Sequence, residues 1–392
     1  MSEEIVRIAA RGEGVTSSGR HIAFAAPGDL VDQAGDVTPG PHRQLPPCRH
    51  FPECGGCQLQ HVDDMAFAAF VEGRVAGALA QQGIECEVRP AHLSPPRSRR
   101  RATLRALKAG GRVVIGFNAE KSNRIIDMAE CHILRPELFA LVAPLRQLLS
   151  LLLAPKRTAE VQLTLADQGP DLLLKGVKAE GFAAAQGLVD FAEANGLARL
   201  ALDEGLGPEV RWEPQPATVT LSGRPVPLPV GAFLQATADG EAVLVEAVRE
   251  ALDGAEEVAD LFAGIGTFAL ALPGKVRAAE ASRDAVLALK RAAPTIHAEH
   301  RDLYRRPLMA DELAGLDGLV LDPPRAGAEA QVAQLAGSTA PRIAYVSCNP
   351  ATFARDAAVL VRGGYRLVWV KPVGQFRWST HVELAACFTR GA

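Results

Sequence analysis

The residue of this chain best suited to covalent chemistry is Cys348, in Ser347-Cys348-Asn349-Pro350. A hydrophobic run, residues 342–346, precedes it and predicts a short buried strand that the proline ends. A cysteine at the lip of a sheet is open enough to act as a nucleophile, whereas most free cysteines are buried and inert. Position alone therefore leaves two interpretations, a nucleophile and a small core residue.

A second group with chemical potential is a set of three cysteines, Cys48, Cys54 and Cys57, spaced C-x5-C-x2-C around two glycines. Soft thiolates at this density select zinc or an iron–sulfur cluster, and either closed site needs a fourth ligand. We choose Cys131 as that ligand, because it lies among polar residues in a predicted loop. Clustered thiols without a metal are the alternative.

A third group is a basic patch of five arginines within nine positions. These are Arg97, Arg99, Arg100, Arg101 and Arg105. The formal net charge of the chain is -3, so a nucleic-acid partner would have to be bound by a local patch of this kind. The arginines alternate with small and apolar residues, as in a strand with one basic edge, which suits contact with phosphates. A solvated charged face is the alternative.

Length and composition indicate two or three globular domains, with 48% hydrophobic and 22% charged residues. The N-terminus lacks the pattern of a signal peptide, and seven cysteines without an export signal indicate a reducing compartment. The run of residues 138–154 is too short and polar to cross a membrane and predicts an amphipathic helix. We therefore expect a cytoplasmic protein without a membrane partner.

The elements that must position these residues begin with strand-like pieces and glycine turns in residues 1–40, typical of a small β-barrel fragment. A proline-rich connector, residues 39–47, predicts a domain boundary. Residues 112–230 alternate strands with one or two helices, as in an α+β platform.

From Gly231 the pattern changes to a helix at 241–252, a strand at 257–262, a glycine loop and a further helix. Strand, glycine loop and helix open a doubly wound nucleotide-binding fold, and a second strand ends at Glu280, which is placed to hold ribose hydroxyls. The third glycine position of the dinucleotide fingerprint is Ala269, so a nucleoside without a pyrophosphate is the expected ligand.

Later strands of this fold also end at acids. Asp302 follows the third strand, either to read an adenine amino group or to cap a helix, and Asp322 follows the fourth in an Asp-Pro-Pro loop. The last strand, residues 382–388, is predicted antiparallel to the sixth, which places Glu383 at the same sheet edge as Cys348. Such sheets bind ligands at the carboxyl ends of their parallel strands, so we expect one crevice there.

These motifs resemble those of the class I S-adenosylmethionine-dependent RNA 5-methyluridine methyltransferases. The resemblance is carried by residues 260–268 (DLFAGIGTF), 322–325 (DPPR), 347–352 (SCNPAT), 231–235 (GAFLQ), 381–383 (HVE) and the four cysteines. It implies that Cys348 is the nucleophile and Glu383 the base. It further implies a pocket for the methyl donor and the target base, lined by Gln235, Phe262, Gly264, Gly266, Thr267, Glu280, Asp302 and Asp322.

The same resemblance implies that Cys48, Cys54, Cys57 and Cys131 hold a [4Fe-4S] cluster and that the first forty residues form a TRAM-like RNA-binding barrel. We expect an α/β class I methyltransferase fold with three parts: a short TRAM-like segment at 1–44, a cluster and RNA-binding domain at 45–230, and a catalytic domain at 231–392. The implied substrate is RNA, ribosomal in the first place, and we expect a monomer. The family usually has cysteine where this chain has Ala263.

The hypothesis for the reaction is addition of Cys348 to C6 of a flipped uracil, methylation of C5, and proton removal by Glu383. Three rivals stay open: a transfer-RNA uridine methyltransferase, a non-catalytic iron–sulfur RNA-binding protein, and an exocyclic-amine methyltransferase. The last normally carries an aromatic residue after the two prolines, where this chain has Arg325.

Overall fold

The computed structural model describes residues 2–391, and no helix in that range is long and apolar enough to cross a membrane. The chain begins with five short strands: β1 (Glu3–Ile8), β2 (Gly14–Thr16), β3 (His21–Ile22), β4 (Leu30–Val31) and β5 (Val37–Thr38). They form an antiparallel sheet in the order β3-β2-β1-β4-β5 over a small core that includes Ile5 and Val31. The strand-like pieces expected in residues 1–40 are thus present as short strands, and the TRAM-like assignment of this sheet stays a prediction.

The cysteine-bearing segment, residues 40–63, leads into α1 (Asp64–Ala80), β6 (Glu87–Val88) and β7 (His92–Leu93). The helix begins at Asp63, whose side chain accepts a hydrogen bond from the Ala66 amide. Although the sequence grouped residues 45–230 together, β6 and β7 pair with a strand of the C-terminal sheet, and the helix packs on that sheet as well. Strands of two residues leave no periodic pattern by which the sequence could reveal this pairing.

The middle of the chain forms a second sheet and its helices. In chain order its elements are β8 (Arg101–Ala109), β9 (Arg112–Gly116), α2 (Pro136–Phe139), α3 (Val142–Leu152), β10 (Thr158–Ala166), β11 (Gly169–Lys175), α4 (Phe182–Ala194), β12 (Arg199–Asp203) and β13 (Pro208–Trp212). The strand order is β13-β12-β11-β10-β8-β9. The amphipathic helix expected at 138–154 is present as α2 and α3, whose leucines pack onto the sheet. A hairpin of β14 (Thr218–Leu221) and β15 (Arg224–Pro227) follows.

The C-terminal region is a mixed sheet with helices on both faces. Its elements are α5 (Ala238–Ala251), β16 (Glu257–Leu261), β17 (Lys275–Glu280), α6 (Arg283–Ala292), β18 (His297–His300), α7 (Ala310–Leu313), β19 (Gly318–Leu321), α8 (Glu329–Ala336), β20 (Arg342–Ser347), α9 (Pro350–Arg362), β21 (Arg366–Gly374) and β22 (Glu383–Thr389). The order is β18-β17-β16-β19-β20-β22-β21-β6. The first five strands run parallel, and β22 is antiparallel to both its neighbours, as the sequence predicted.

One prediction for this region, a helix after the glycine loop, is wrong. The helix expected after the glycine loop does not form, and residues 262–271 make consecutive turns instead. Only six residues separate Gly266 from Pro273, and the chain must return to β17 at Lys275. Too few residues remain for a helix that also packs on the sheet.

Candidate active site

Strand register brings Cys348 and Glu383 to the same point of the sheet edge. Ser347 of β20 pairs with Leu384 of the antiparallel β22, so the next position outward sets Cys348 opposite Glu383. Glu383 is only 4% exposed, whereas Cys348 is half-buried. A thiol open to a ligand therefore lies beside a carboxyl group shielded from water.

The loop after β19 is tied to the turn that carries Cys348. Asn349, the N-cap of α9, donates from Nδ2 to the carbonyl oxygen of Arg325 over 3.0 Å, and Thr352 donates to the same oxygen over 3.2 Å. The loop also holds Asp322, whose charge acts on the Cys348 thiol. These bonds fix the Asp-Pro-Pro-Arg loop and the cysteine as one rigid rim.

The protonation of this rim is set by burial. Burial and, after it, the charges of Glu383 and Asp322 raise the pKa of Cys348 to about 11, and Arg325 opposes them. Burial also raises the pKa of Glu383 to about 7, against a hydrogen bond from Gln375 and the charges of Arg101 and Arg325. The pKa of Asp322 is raised well above its usual range, by burial and then by Glu383. A cationic ligand would relieve this crowding of negative groups.

The glycine loop lies above the end of β16. Glu280 accepts hydrogen bonds from the amides of Gly264 over 2.9 Å and Ser282 over 2.6 Å, so its carboxylate is held at the loop. Gly266 has a φ of 97°, and a Cβ there would lie 2.5 Å from Leu289 Cδ1, so only glycine fits. Gly264 faces open space and Thr267 is half-buried beside it. The loop is thus packed tightly below and open above.

Two further polar side chains, Asp260 and Gln235, are buried at this edge of the sheet. Asp260 is fully buried; its Oδ2 accepts from the Ala269 amide over 2.8 Å, while Oδ1 has no partner. Gln235, also buried, accepts at Oε1 a 2.8 Å hydrogen bond from Gln375 Nε2. Gln375 also interacts with Glu383, so it connects the Gln235 loop to the acid. The sequence missed Gln375, since a polar residue in a connecting loop has no distinguishing pattern.

The loop after β18 closes one side of the crevice. Asp302 accepts at Oδ1 from the amide of Tyr304 over 3.0 Å, so it caps a turn and leaves Oδ2 toward Arg305. The Tyr304 ring packs at 5.5 Å from that of Phe262, which has a φ of 64° and follows β16 directly. Phe262 and Tyr304 therefore form an aromatic wall, of which the sequence identified only the phenylalanine.

The five arginines of the basic patch are not equivalent. Arg97 is exposed, and Arg105 is partly exposed beside Glu160. Arg100 is 9% exposed; its guanidinium contacts Glu241 and donates to the Gln235 carbonyl over 3.1 Å, so it is not part of a surface that a ligand can reach.

The other two arginines of the patch lie over aromatic rings. Arg101 stacks 4.6 Å from the centroid of the exposed Phe233 ring, and its charge reaches Glu383. Arg99 lies between the rings of Phe117 and Phe376, at 5.7 and 5.2 Å. Arg101 and Arg99 thus lie on the side of the patch nearest the crevice.

The four predicted cluster cysteines line one cavity. Phe117 and Met128 form part of its wall, and Cys48, Cys54, Cys57 and Cys131 surround it. Burial raises the pKa of each thiol, and that of Cys57 reaches about 12. Neighbouring thiolates contribute to the rise at Cys54, Cys57 and Cys131, whereas the Glu130 carboxylate contributes at Cys48. In the part of the chain that is described, no three His, Cys, Asp or Glu side chains are arranged to hold a metal ion. The four thiols thus share one cavity.

The strand order, with five parallel strands and an antiparallel strand beside them, is that of a class I methyltransferase fold. A solved structure of the same fold is the Pyrococcus abyssi tRNA (uracil-54, C5)-methyltransferase with S-adenosyl-L-homocysteine; it has a TM-score of 0.77 and 23% identity and covers 99% of both chains. The family model for tRNA (Uracil-5-)-methyltransferase matches residues 297–390.

Two relatives cover most of the chain. An uncharacterised RNA methyltransferase of Zymomonas mobilis is 49% identical over 99% of this chain and 100% of its own length. The 23S rRNA (uracil(1939)-C(5))-methyltransferase of Chromohalobacter salexigens is 34% identical over 89% of this chain and 77% of its own length. The protein therefore belongs to the RNA (uracil-5-)-methyltransferase family.

Proposed function

We propose that this protein transfers a methyl group from S-adenosylmethionine to C5 of a uridine in RNA, with Cys348 as nucleophile and Glu383 as base. The observation that carries the proposal is the strand register, which sets the thiol opposite a buried carboxyl group. A uracil between them would present C6 to the sulfur and its C5 proton to the acid. The arrangement suits a nucleophile and a base acting on adjacent carbons of one ring.

The glycine loop and the surrounding acids fit the methyl donor. Gly264 leaves open space above the loop, and Oδ1 of the buried Asp260 has no hydrogen-bond partner. The pKa values of Asp260 and Asp322 are raised, so a cationic ligand would stabilise these carboxyls in their charged form. The donor-binding residues are Gln235, Phe262, Gly264, Gly266, Thr267, Glu280, Asp302 and Asp322. S-adenosylmethionine supplies its methyl group from a positively charged sulfonium, which these acids would stabilise.

The protein residues carry out the remaining steps. The Cys348 thiol must first lose its proton, because the thiolate is the nucleophile. A carbon–sulfur bond to C6 gives C5 the electron density to accept the methyl group. Glu383 then takes the C5 proton, and the carbon–sulfur bond breaks to return the thiolate. The target base has to leave its stack to enter the crevice.

The RNA-facing surface begins at the arginines around the crevice. Arg97, Arg99, Arg101 and Arg105 would contact phosphates or stacked bases, and Phe233 offers a face for a base beside Arg101. Arg100 is omitted because Glu241 already neutralises it inside the protein. The N-terminal sheet, in its predicted TRAM-like role, would extend this surface.

Ribosomal RNA is the proposed substrate, because the Chromohalobacter salexigens relative, which aligns with 89% of this chain, is named as a 23S rRNA methyltransferase. The protein is proposed to act as a monomer in the cytoplasm.

The cysteine cavity is proposed to hold a [4Fe-4S] cluster. Four thiols line one space, and the four iron corners of such a cluster each take one thiolate. Its positive iron would also favour thiolates whose pKa values burial has raised. It would serve as a folded platform beside the RNA surface.

The testing experiment follows 5-methyluridine by nucleoside mass spectrometry. Purified protein, S-adenosylmethionine and unmodified 23S rRNA or total tRNA are incubated in parallel. The expected result is 5-methyluridine in 23S rRNA, its absence with Cys348→Ala, and its retention with Cys387→Ala, a buried thiol in β22 away from the crevice. Methylation of tRNA alone would change the proposed substrate, and no 5-methyluridine in either RNA would favour the non-catalytic binding protein.

A further inference from the structure

The loop that delivers Glu383 to the crevice, residues 375–382 between β21 and β22, is strained. Trp378 has a φ of 56°, a left-handed conformation that is strained for a residue other than glycine. Such a conformation persists only where the surroundings hold it. At one end of the loop Gln375 connects Gln235 to the acid, so a shift of this loop would move the base.

The cysteine segment holds the strained residue. The Trp378 carbonyl oxygen accepts two hydrogen bonds, from the amides of Gln58 over 2.8 Å and Leu59 over 2.9 Å. The amide of Thr380 donates to Gln58 Oε1 over 3.4 Å. The Trp378 ring is buried in the same hydrophobic cluster as Cys57. Main-chain, side-chain and packing contacts thus all join the loop to this one segment.

Gln58 also reaches back into the cysteine segment. It follows Cys57 directly, and its Nε2 donates to the carbonyl oxygen of Gly55 over 2.8 Å. Gly55 lies between Cys54 and Cys57 in the sequence. One side-chain amide therefore uses its donor on the thiol-bearing turn and its acceptor on the loop that precedes Glu383.

A second connection runs in parallel. The Arg99 guanidinium lies between Phe117, which lines the cysteine cavity, and Phe376 of the loop. The Phe376 ring in turn packs 5.7 Å from His381, two residues before Glu383. Phe117 of the cavity wall, the Arg99 guanidinium and Phe376 of the loop thus form one stack.

We propose that Gln58 is a positioning residue that couples the cysteine cavity to the catalytic base by holding the 375–382 loop in its strained conformation. This inference rests on the proposed role of Glu383. A change at the thiols, such as loss of a ligand, would reach the base through Gln58 and the loop. Gln58 itself contacts neither the donor-binding nor the RNA-contacting residues, although its loop adjoins Gln235 and Arg99. Loss of the coupling therefore lowers kcat more than it raises either KM. Misplacement of a reacting group by about 1 Å costs roughly 100-fold in rate.

The test uses two substitutions at this residue and a matched control. Gln58→Ala removes both side-chain hydrogen bonds, whereas Gln58→Glu keeps an acceptor for the Thr380 amide and loses the donor toward Gly55. Gln82→Ala changes an exposed glutamine just after α1. Hydrogen–deuterium exchange of the peptide 376–382 is measured without RNA or donor, together with the melting temperature.

We expect at least tenfold faster exchange of that peptide in Gln58→Ala, with the Thr380 amide most affected, and wild-type exchange in Gln82→Ala. Gln58→Glu restores much of the protection. The single-turnover rate constant and the steady-state kcat for methylation should both fall at least tenfold for Gln58→Ala, with a smaller change in either KM. Unchanged exchange in Gln58→Ala, or a loss confined to KM, would overturn the coupling. If wild-type protein makes no 5-methyluridine, the proposed function fails, while the exchange result still decides whether Gln58 holds the loop.

Discussion

Replacing Glu383 by glutamine should raise the stability of the protein while removing its activity. The ordinary pKa of a glutamate is 4.5, and burial raises that of Glu383 to about 7. Between these values the folded protein keeps a proton that the unfolded chain releases, so stability falls as the pH rises from 4.5 to 7. One pKa unit corresponds to about 1.4 kcal/mol, which makes the total loss about 3 kcal/mol at pH 8.

Glu383→Gln is neutral at every pH and avoids that loss. Its free energy of unfolding should therefore exceed that of the wild type by about 3 kcal/mol at pH 8, and the difference should disappear below pH 4.5. Methylation should fall by 10²–10⁴-fold, which is typical for loss of a general base. In the wild type, protonation of Glu383 should lower the rate about tenfold per pH unit below 7, because only the deprotonated acid accepts the C5 proton. The falling thiolate fraction of Cys348, whose pKa is about 11, should add about a further tenfold per unit.

The assay combines urea unfolding across pH 4–8 with single-turnover methylation at pH 8. Glu85→Gln, which changes an exposed acid, serves as the control and should alter neither quantity. Equal or lower stability of Glu383→Gln at pH 8 would refute the view that this carboxyl is a buried charge. Activity within tenfold of the wild type would refute its role as the base.

Further predictions concern the arginines and the glycine loop. Arg100→Ala should cost about 3–5 kcal/mol in urea unfolding, because it leaves Glu241 buried without a partner. Arg97→Ala should leave stability unchanged and weaken RNA binding in a filter assay, with a smaller dependence on salt; the reverse pattern would contradict both assignments. Gly266→Ala should raise the Kd for S-adenosylmethionine at least tenfold by calorimetry, because its Cβ meets Leu289 and displaces the loop; an unchanged Kd would exclude the loop from donor binding.

Much of the C-terminal sheet could be predicted because each strand is a short apolar run that ends in an acid, a glycine or a cysteine. The second strand, β17, ends at Glu280 as predicted. The antiparallel direction of β22 was predictable because only a short connection separates it from β21. The carboxyl-end rule then places Cys348 and Glu383 at one edge. Pattern and topology together were enough for the centre of the candidate site.

The misjudged residue of the arginine patch could have been recognised from the alternation of β8. Ala102 and Leu104 face the core, and Arg100 shares their parity, so a strand continued backward points it inward. The prediction counted the arginines of the patch and did not consider which face of the strand each one occupies.

Other features had no signal in one sequence. Gln375 and Gln58 are polar residues in loops, and their roles depend on contacts between distant segments: 140 residues separate Gln375 from Gln235, and 322 separate Gln58 from Thr380. The turns at 262–271 replaced a helix because the short connection overrode a helical pattern. Contacts of this kind arise only when the chain is folded.

The most direct test of the account traps the covalent step on Cys348. The protein is incubated with S-adenosylmethionine and 23S rRNA containing 5-fluorouridine, then denatured, digested and examined by mass spectrometry. Fluorine cannot leave as a proton, so Glu383 cannot complete the reaction and the carbon–sulfur bond persists. We expect a methylated fluorouridine bound to the peptide that contains Cys348, and no such adduct with Cys348→Ala. An adduct on another residue, or methyl transfer to RNA that proceeds without Cys348, would contradict it.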